Sequence, residues 1–509
     1  MPAIGQDARE PSMEMELKLL LGPASRALVE SHPAFHDARR RDRRHEVTTY
    51  FDTPDLLLHG QGASLRVRDR GGSFVQTVKV SRRDDALGLR SEWEWPVASA
   101  EVDRAALASP PEGLAFLREA VDRLEPKFET DIARDTWLIR LDGHTEVEAV
   151  IDTGTIRAGS RSTAVSEVEL ELKGGPVAPL FGLALELVER ADLRYGPRSK
   201  AERGYDLVRG TAASAPALEA AELHDKATLG QAFPRLVAAA LRDMAAEIPA
   251  ALQGEVEGIH RMRAAIRKLR TLLVLFAPHI EPEAADRFNA ALREIGAVLG
   301  AGRDWDVFLT ETLAGARDEI EAAGIDLLAP AAEGCRTQAH AAVAQLLDGP
   351  LPTRLILGMG AWTAGSEWAA GSASDAPLRD LLPHLLDRVA RKVRKRGRRI
   401  VHEGAEHLHA LRKAMKKLRY STEDVAPLYG AKAVRRYVKA LKSALSLLGD
   451  INDASVTRAR LDEIAPPDRP DLAGPAAALL VWTEERRTAA LAKLGHKWHD
   501  VARLEPFWR

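Results

Sequence analysis

Two rhythms divide the chain. Up to about residue 210 apolar and polar residues alternate, and from about residue 216 apolar positions recur at helical spacing. The first rhythm predicts β-strands and the second predicts amphipathic helices. The alternating runs are Glu14–Leu20, Glu46–Asp52, Ser64–Arg70, Phe74–Ser81, Arg90–Val97, Lys127–Leu141, Glu146–Thr153 and Val165–Lys173. Turn residues separate several of them, at Gly71-Gly72-Ser73, Asp142-Gly143 and Gly159-Ser160. Asp-Gly between two alternating runs is a strong hairpin signal. Helical spacing within this half marks Ala105–Leu124 and Val177–Ala191. Eight antiparallel strands of similar length can close into a barrel wide enough to hold a ligand. The expected fold is therefore α+β and multidomain. It comprises an eight-stranded antiparallel barrel with helices over 12–210, a small-residue linker over 211–221 and an all-α unit over 222–505.

The polar face of these strands is charged. Met13-Glu14-Met15-Glu16-Leu17-Lys18-Leu19 sets Glu14, Glu16 and Lys18 on one side. Arg66 and Arg68 share a face, Lys79 follows on the next run, and Arg90, Glu92 and Glu94 oppose Trp93 and Trp95. Glu146 and Glu148 lead into Asp152, and Glu167, Glu169 and Glu171 repeat the opening pattern. Charges outward would give an ordinary filled barrel. Charges inward would give a polar lumen, which costs several kcal/mol per unpaired ion and suits only a highly charged ligand. Cations on one side and carboxylates on the other fit a polyphosphate with a hard divalent cation bound through oxygen.

Length and composition narrow the class. The 509 residues exceed one ordinary core, and 45% hydrophobic with 29% charged residues suits a folded, soluble protein. No apolar run is long enough to span a bilayer, so no membrane partner is expected. Met1–Pro11 lacks an apolar signal core and reads as a short loose tail. The single cysteine, Cys335, excludes an internal disulfide and fits a reducing cytoplasm. Net charge is only −2, so local charge patterning carries more information than the sum. No P-loop is present, and His45 and His59 read as surface or packing residues.

Together these motifs resemble the CYTH superfamily, the triphosphate tunnel metalloenzymes. The resemblance rests on Glu14-x-Glu16-x-Lys18, Tyr50-Phe51-Asp52-Thr53, Leu65-Arg66-Val67-Arg68, Lys79 and the Glu167/Glu169/Glu171 strand. It implies an eight-stranded tunnel that binds and hydrolyses a triphosphate with Mg2+ or Mn2+. By position, Glu14, Glu16, Asp152, Glu167, Glu169 and Glu171 would hold the metal. Lys18, Arg66, Arg68, Lys79, Arg134 and Lys200 would contact phosphate. The implied activity is an inorganic triphosphatase. A polyphosphate-targeting protein without turnover, a nucleoside or thiamine triphosphatase and an adenylate cyclase are the alternatives.

The helical half contains a repeat. His260-x2-Arg263-x3-Arg267-Lys268-Leu269-Arg270 returns as His409-x2-Arg412-x3-Lys416-Lys417-Leu418-Arg419, offset by 149 residues. Each copy continues with Ala-Pro, with Leu-Gly at +39 and +40, and with Asp at +44. Positions 0, +3, +7 and +10 share one helix stripe. Neither stripe carries a carboxylate that could pair within its own helix. Seven of the nine residues Arg391–Arg399 are also basic, among them Arg391, Arg394 and Arg398. Two like-charged faces imply an anion between them. Asp304 and Asp453 read as helix N-caps.

This repeat resembles the CHAD domain, a duplicated helical bundle whose basic faces bind inorganic polyphosphate. The resemblance implies polyphosphate contacts from His260, Arg263, Arg267, Lys268, Arg270, Arg391, Arg394, Arg398, His409, Arg412, Lys413, Lys416, Lys417 and Arg419, and association with polyphosphate granules. The second copy departs at Asn452, where the first has Arg303. Nucleic acid is disfavoured because no aromatics interleave with the basic stripes. Oligomeric state stays open.

Overall fold

A computed structural model of the chain describes residues 12–80, 89–108, 110, 114–196, 198–210, 223–320, 324–398, 400 and 404–509. The expected N-terminal tail and the linker lie outside the described residues. The chain forms two compact units, residues 1–217 with 349–366, and residues 218–348 with 367–509.

The first unit is built on nine strands. They are β1 (Ser12–Leu21), β2 (Arg39–Asp52), β3 (Ala63–Asp69), β4 (Phe74–Val80), β5 (Leu89–Val97), β6 (Glu125–Leu141), β7 (Thr145–Ala158), β8 (Arg161–Gly174) and β9 (Leu193–Tyr195). The order is β5-β4-β3-β2-β6-β7-β8-β1-β9, and β5 also pairs with β1. That last pairing closes eight antiparallel strands into a barrel, as expected. The ninth strand is the difference. Ser12–Met15 of β1 pair with β5, while Leu19–Leu21 pair with β9. Three residues are too few for alternation to reveal.

The barrel is inverted, with its charges inside. Leu65, Val78 and Trp93 point outward and pack under Leu107, Leu114, Leu117 and Ala120. The expected Ala105–Leu124 helix is broken into Arg104–Ala108 and Phe116–Ala120, with a 3-10 turn over Val121–Arg123. Pro110, Pro111 and Gly113 account for the break. Leu17, Leu19, Val168 and Leu170 are fully buried on the outer face of β1 and β8. The Ala178–Arg190 helix packs on β7, β8 and β9.

A second helix, Lys200–Arg209, lies across β6, β7 and β8. Ser199 and Glu202 form its capping box. A Cβ on Gly204 would lie 2.1 Å from the Phe128 ring, so only glycine permits this approach. Tyr205 packs edge-on to Phe128, which stacks on Tyr50. With Ile132, Ile156 and Val165 these rings form an apolar cluster at the helix.

The Pro350–Ala364 helix groups with the barrel, although the sequence pattern placed it within the helical half. Its apolar periodicity looks the same whichever core it fills. The second unit is all helical. Its main helices are Leu229–Ala246, Val256–Leu275, Pro282–Val307, Leu328–Asp348, Leu378–Gly397, Ala405–Asp424, Ala431–Ile464 and Pro470–Ala502. One core cluster gathers Trp305, Phe308, Leu328, Leu461, Leu472 and Leu479. No described helix is long and apolar enough to cross a membrane.

Candidate functional site

Register decides which charges meet inside the barrel. Lys18 faces Glu169 across β1–β8, Asp152 faces Glu167 across β7–β8, and Arg134 faces Asp152 across β6–β7. These neighbours bring Asp152, Glu167 and Glu169 together, with one carboxylate oxygen from each lying within 4.8 Å of the others. Asp152 and Glu167 are fully buried. An all-oxygen set of this kind suits a hard divalent cation.

Cations already grip the cluster. Lys200 Nζ lies 2.6 Å from Asp152, 2.5 Å from Glu167 and 2.8 Å from Glu169. Lys18 pairs with Glu169, with Glu167 at 3.2 Å and with Glu16 at 3.1 Å. Arg134 donates two hydrogen bonds to Asp152, at 2.8 and 2.6 Å, and one to Glu169 at 3.1 Å. Arg203, which sequence reading missed, reaches Glu167 at 3.3 Å. Burial alone would raise the Glu169 carboxyl, but Lys18, Lys200 and Arg134 hold it well below its usual range. Asp152 is lowered in the same way, with Lys200 and Arg134 overcoming burial. Burial likewise opposes the charge on Lys18 and Lys200, yet the surrounding carboxylates raise both above the ordinary lysine value. Glu169, Asp152, Lys18 and Lys200 are thus each held in the charged form.

Strands β2 to β5 supply the basic wall. Arg66 lies 3.2 Å from Glu92, Lys79 lies 2.6 Å from Glu92, and Arg68 lies 3.4 Å from Glu46. Burial beside Arg66 and Arg134 pulls Arg68 down to about 10. Arg66 is raised instead: Tyr50, Glu92 and Glu94 outweigh its burial. The buried Nε–H groups of Arg66 and Arg68 find no acceptor, while that of Arg70 lies 3.6 Å from Glu46. An unmet buried donor costs about 1–3 kcal/mol. Two such donors side by side on β3 are suited to receive the oxygens of an anion.

Not every predicted ligand joins the trio. Glu171 faces Glu16 and Glu148 across its two neighbours, one row removed from the cluster. Burial, with Glu148 and Glu16 beside it, raises its carboxyl, although Lys173 pairs with it at 2.5 Å. Only the backbone of Glu14 is described, paired with Arg90. Asp52, part of a sequence motif, is structural: its carboxylate accepts from the Thr53, Leu58 and His59 amides. His45 is exposed beside Asp131, and His59 stacks on Tyr205, as expected of surface and packing residues. Tyr50 was missed. It is buried, and Arg66 and Arg68 lower its hydroxyl despite that burial. An aromatic residue on an alternating strand looks like core, so the pattern gave no hint that its hydroxyl faces the arginines.

In the second unit the two basic stripes meet. Arg263, Arg267, Arg412 and Arg419 all act on Lys416, and with its burial they pull it down to about 7. Arg267 and Arg419 both lie over the Tyr420 ring, at 5.7 and 4.4 Å. The Nε–H groups of Arg267, Arg412 and Arg419 are buried without an acceptor. Arg263 donates to the Gly300 carbonyl at 3.0 Å, and its guanidinium lies over that residue. The +44 carboxylates are not N-caps. Asp304 and Asp453 lie inside the Pro282–Val307 and Ala431–Ile464 helices. Asp304 lies 3.6 Å from Arg263, and Asp453 acts on Arg412, the same position in the other repeat.

The remaining basic residues divide. His409 hydrogen-bonds Asn452 at 2.8 Å, whereas His260 sits near Arg303 and is lowered by burial and that charge. Arg270 donates to Asn289, and Lys268 turns toward the buried Asp424, 3.9 Å away. Lys417 is lowered by burial and by Arg270, Lys392, Arg396 and Lys413. Lys392 and Arg396 were not singled out from sequence. Arg391 bonds its own helix at the Asp387 carbonyl, and Arg394 acts on Asp387 and Tyr437. Arg398 is exposed at the helix end.

Comparison with known proteins agrees with both halves. Residues 12–205 match the CYTH domain and residues 235–462 the CHAD domain. Over 194 residues the chain is 31% identical to an inorganic triphosphatase of Haemophilus influenzae, covering 38% of this chain and 54% of that protein. The chain thus spans about half the length of that curated relative. The CHAD domain structure from the plant Ricinus communis is 29% identical, covers 57% of this chain and 97% of that one, and has a TM-score of 0.49. PptA from Streptomyces chartreusis is 17% identical over 53% of this chain and 99% of that one, at a TM-score of 0.44. An inverted barrel matching one family and a duplicated basic bundle matching the other make this chain a CYTH–CHAD domain protein.

Proposed function

We propose that the CYTH unit hydrolyses inorganic triphosphate with a bound divalent cation, Mg2+ or Mn2+, and that the CHAD unit binds polyphosphate. One observation carries the reading. A carboxylate trio, two of its members buried, shares the barrel lumen with Arg66 and Arg68, whose Nε–H groups have no acceptor. A phosphate chain with its cation would satisfy both walls. Asp152, Glu167 and Glu169 would hold the metal, which when bound neutralises phosphate charge and polarises the scissile bond. Phosphoanhydride hydrolysis depends mainly on positioning and charge neutralisation. Arg66, Arg68 and Lys79 bind the chain by its oxygens. Lys18, Lys200 and Arg134, now spread over the carboxylates, would turn toward phosphate once the trio is neutralised.

In the CHAD unit, the convergent cations Arg263, Arg267, Arg412, Lys416 and Arg419 repel one another until a polyanion lies between them. The assay is phosphate release from tripolyphosphate by the full chain, with and without Mg2+ or Mn2+, with ATP and thiamine triphosphate run alongside. Metal-dependent release that Glu169→Gln abolishes supports the reading. No release with either metal, or equal rates in the parent and Glu169→Gln, sinks it. Polyphosphate binding that survives joint Arg267→Ala and Arg412→Ala would remove the basic cleft from the account.

A further inference from the structure

The Pro350–Ala364 helix lies between the two repeats in sequence, yet it belongs to the tunnel unit. The chain runs through the helical unit up to Asp348 and again from Glu367. Arg354 is its only charged residue. Eight of its 15 residues are buried, including Thr353, Leu355, Ile356, Met359 and Gly360. Two contacts give the seat its specificity. A Cβ on Gly360 would lie 2.5 Å from the Phe181 ring, so this helix and Ala178–Arg190 meet at glycine width. Thr353 Oγ1 accepts the Tyr195 N–H at 2.9 Å in a buried setting. Without Thr353 that edge-strand donor would lose this buried acceptor.

Tyr195 ends β9, whose other edge pairs Leu19, Leu20 and Leu21 of β1. The next amide, Gly196 N–H, donates to the Lys18 carbonyl at 3.0 Å. Lys18 then sends its side chain to Glu167 and Glu169. A three-residue strand gains little from its own ladder. What lies behind it decides whether it stays in place.

We propose that the Pro350–Ala364 helix is a positioning element of the tunnel. Thr353 holds β9, β9 holds the backbone of Lys18, and the tunnel is complete only with a segment from beyond its own contiguous sequence. The consequence for turnover rests on the reading of Lys18 as a phosphate ligand. The seat itself does not. The test uses the full chain with Thr353→Val, which keeps shape and loses the acceptor, and Thr353→Ser, which restores it.

Amide hydrogen exchange at residues 193–196 and 17–21 should quicken about five-fold or more in Thr353→Val, the factor one ordinary hydrogen bond represents. Exchange over 63–80 should not change, and Thr353→Ser should match the parent. KM for tripolyphosphate should rise in Thr353→Val with kcat nearly unchanged. Parental exchange in Thr353→Val, or a uniform rise across the unit, overturns the seat. Local acceleration with an unmoved KM overturns the link to Lys18. Local acceleration in a protein that releases no phosphate in any form leaves the seat standing and removes the triphosphatase reading instead.

Discussion

Polyphosphate affinity should weaken as pH rises above neutrality, and Lys416 should be the cause. Burial and four arginines, Arg412, Arg267, Arg263 and Arg419, pull this lysine down to about 7 in the free protein. A polyanion between the stripes reverses that field and returns the group toward its ordinary value near about 10.4. Below pH 7 the ammonium is present both free and bound, so affinity is flat with respect to it. Above pH 7 the free side chain is neutral, and binding must take up a proton. Log affinity then falls with a slope approaching one per pH unit until the bound-state value is reached. Relative to pH 6, binding should be about ten-fold weaker at pH 8 and about a hundred-fold weaker at pH 9. His260 is lowered by burial and Arg303, and Lys417 is also lowered and adds its own slope. Lys416→Arg isolates the effect, because arginine stays charged. Titration calorimetry of the full chain with polyphosphate, at fixed ionic strength and in buffers of different ionisation enthalpy, reads affinity and proton uptake together. The slope should drop by about one in Lys416→Arg. Equal slopes in the two proteins, or no proton uptake by the parent at pH 8, would refute the reasoning.

Three other outcomes follow from single groups. Asp424 is buried and its carboxyl is raised to about 7, so the unfolded chain ionises first and the native state bears a growing penalty between about pH 4 and 7. Asp424→Asn should therefore stabilise the protein at pH 8 by on the order of 1–3 kcal/mol and bring no gain at pH 4, as read by denaturant unfolding. Gly204→Ala should destabilise the tunnel unit by about 1–3 kcal/mol through its clash with Phe128, lowering the melting temperature. Glu169 is depressed in the fold, so its stabilisation is present above the unfolded value near about 4.3 and disappears as pH falls through the lower folded value. Glu169→Gln should flatten the acid limb of a melting-temperature profile, and an unchanged limb would contradict the pairing with Lys18, Lys200 and Arg134.

Alternation made the strands and their charged faces legible, because a period of two assigns each residue to a face whichever way the barrel turns. It could not assign rows. Glu167, Glu169 and Glu171 look equivalent in sequence, yet only the register separates the first two, beside Asp152, from Glu171, beside Glu16 and Glu148. Closure through β5 and β1 and the three-residue β9 left no periodic trace. In the helical half the repeat gave the stripes, but what they face depends on neighbouring helices. The constant spacings at +3, +40 and +44 were visible. Their meaning, an arginine lying over glycine toward a carboxylate on the next helix, needed the packing. The run Arg391–Arg399 read as one patch. On the helix, Lys392 and Arg396 act on Lys417, whereas Arg394 acts on Asp387.

The two units use one device with different surroundings. Arg66 and Arg68 in the lumen, and Arg267, Arg412 and Arg419 in the cleft, each bury an Nε–H without an acceptor. Such donors are expensive to keep, at about 1–3 kcal/mol each, and under the proposed reading one kind of guest would satisfy both sets. An unbranched phosphate chain offers acceptor oxygens at every unit and can serve both. What differs is the company of carboxylates. Among the described residues, the one grouping of three metal-capable side chains is Asp152, Glu167 and Glu169, in the lumen. In the cleft, Asp304 lies 3.6 Å from Arg263 and also acts on Arg412, as Asp453 does, but the two are not part of such a grouping. Under the proposed reading, a site with cations and a metal-holding trio can both grip and cleave. A site that gathers no such trio can only grip, and exchange of Arg267 or Arg412 should change polyphosphate binding without touching the turnover of a short triphosphate.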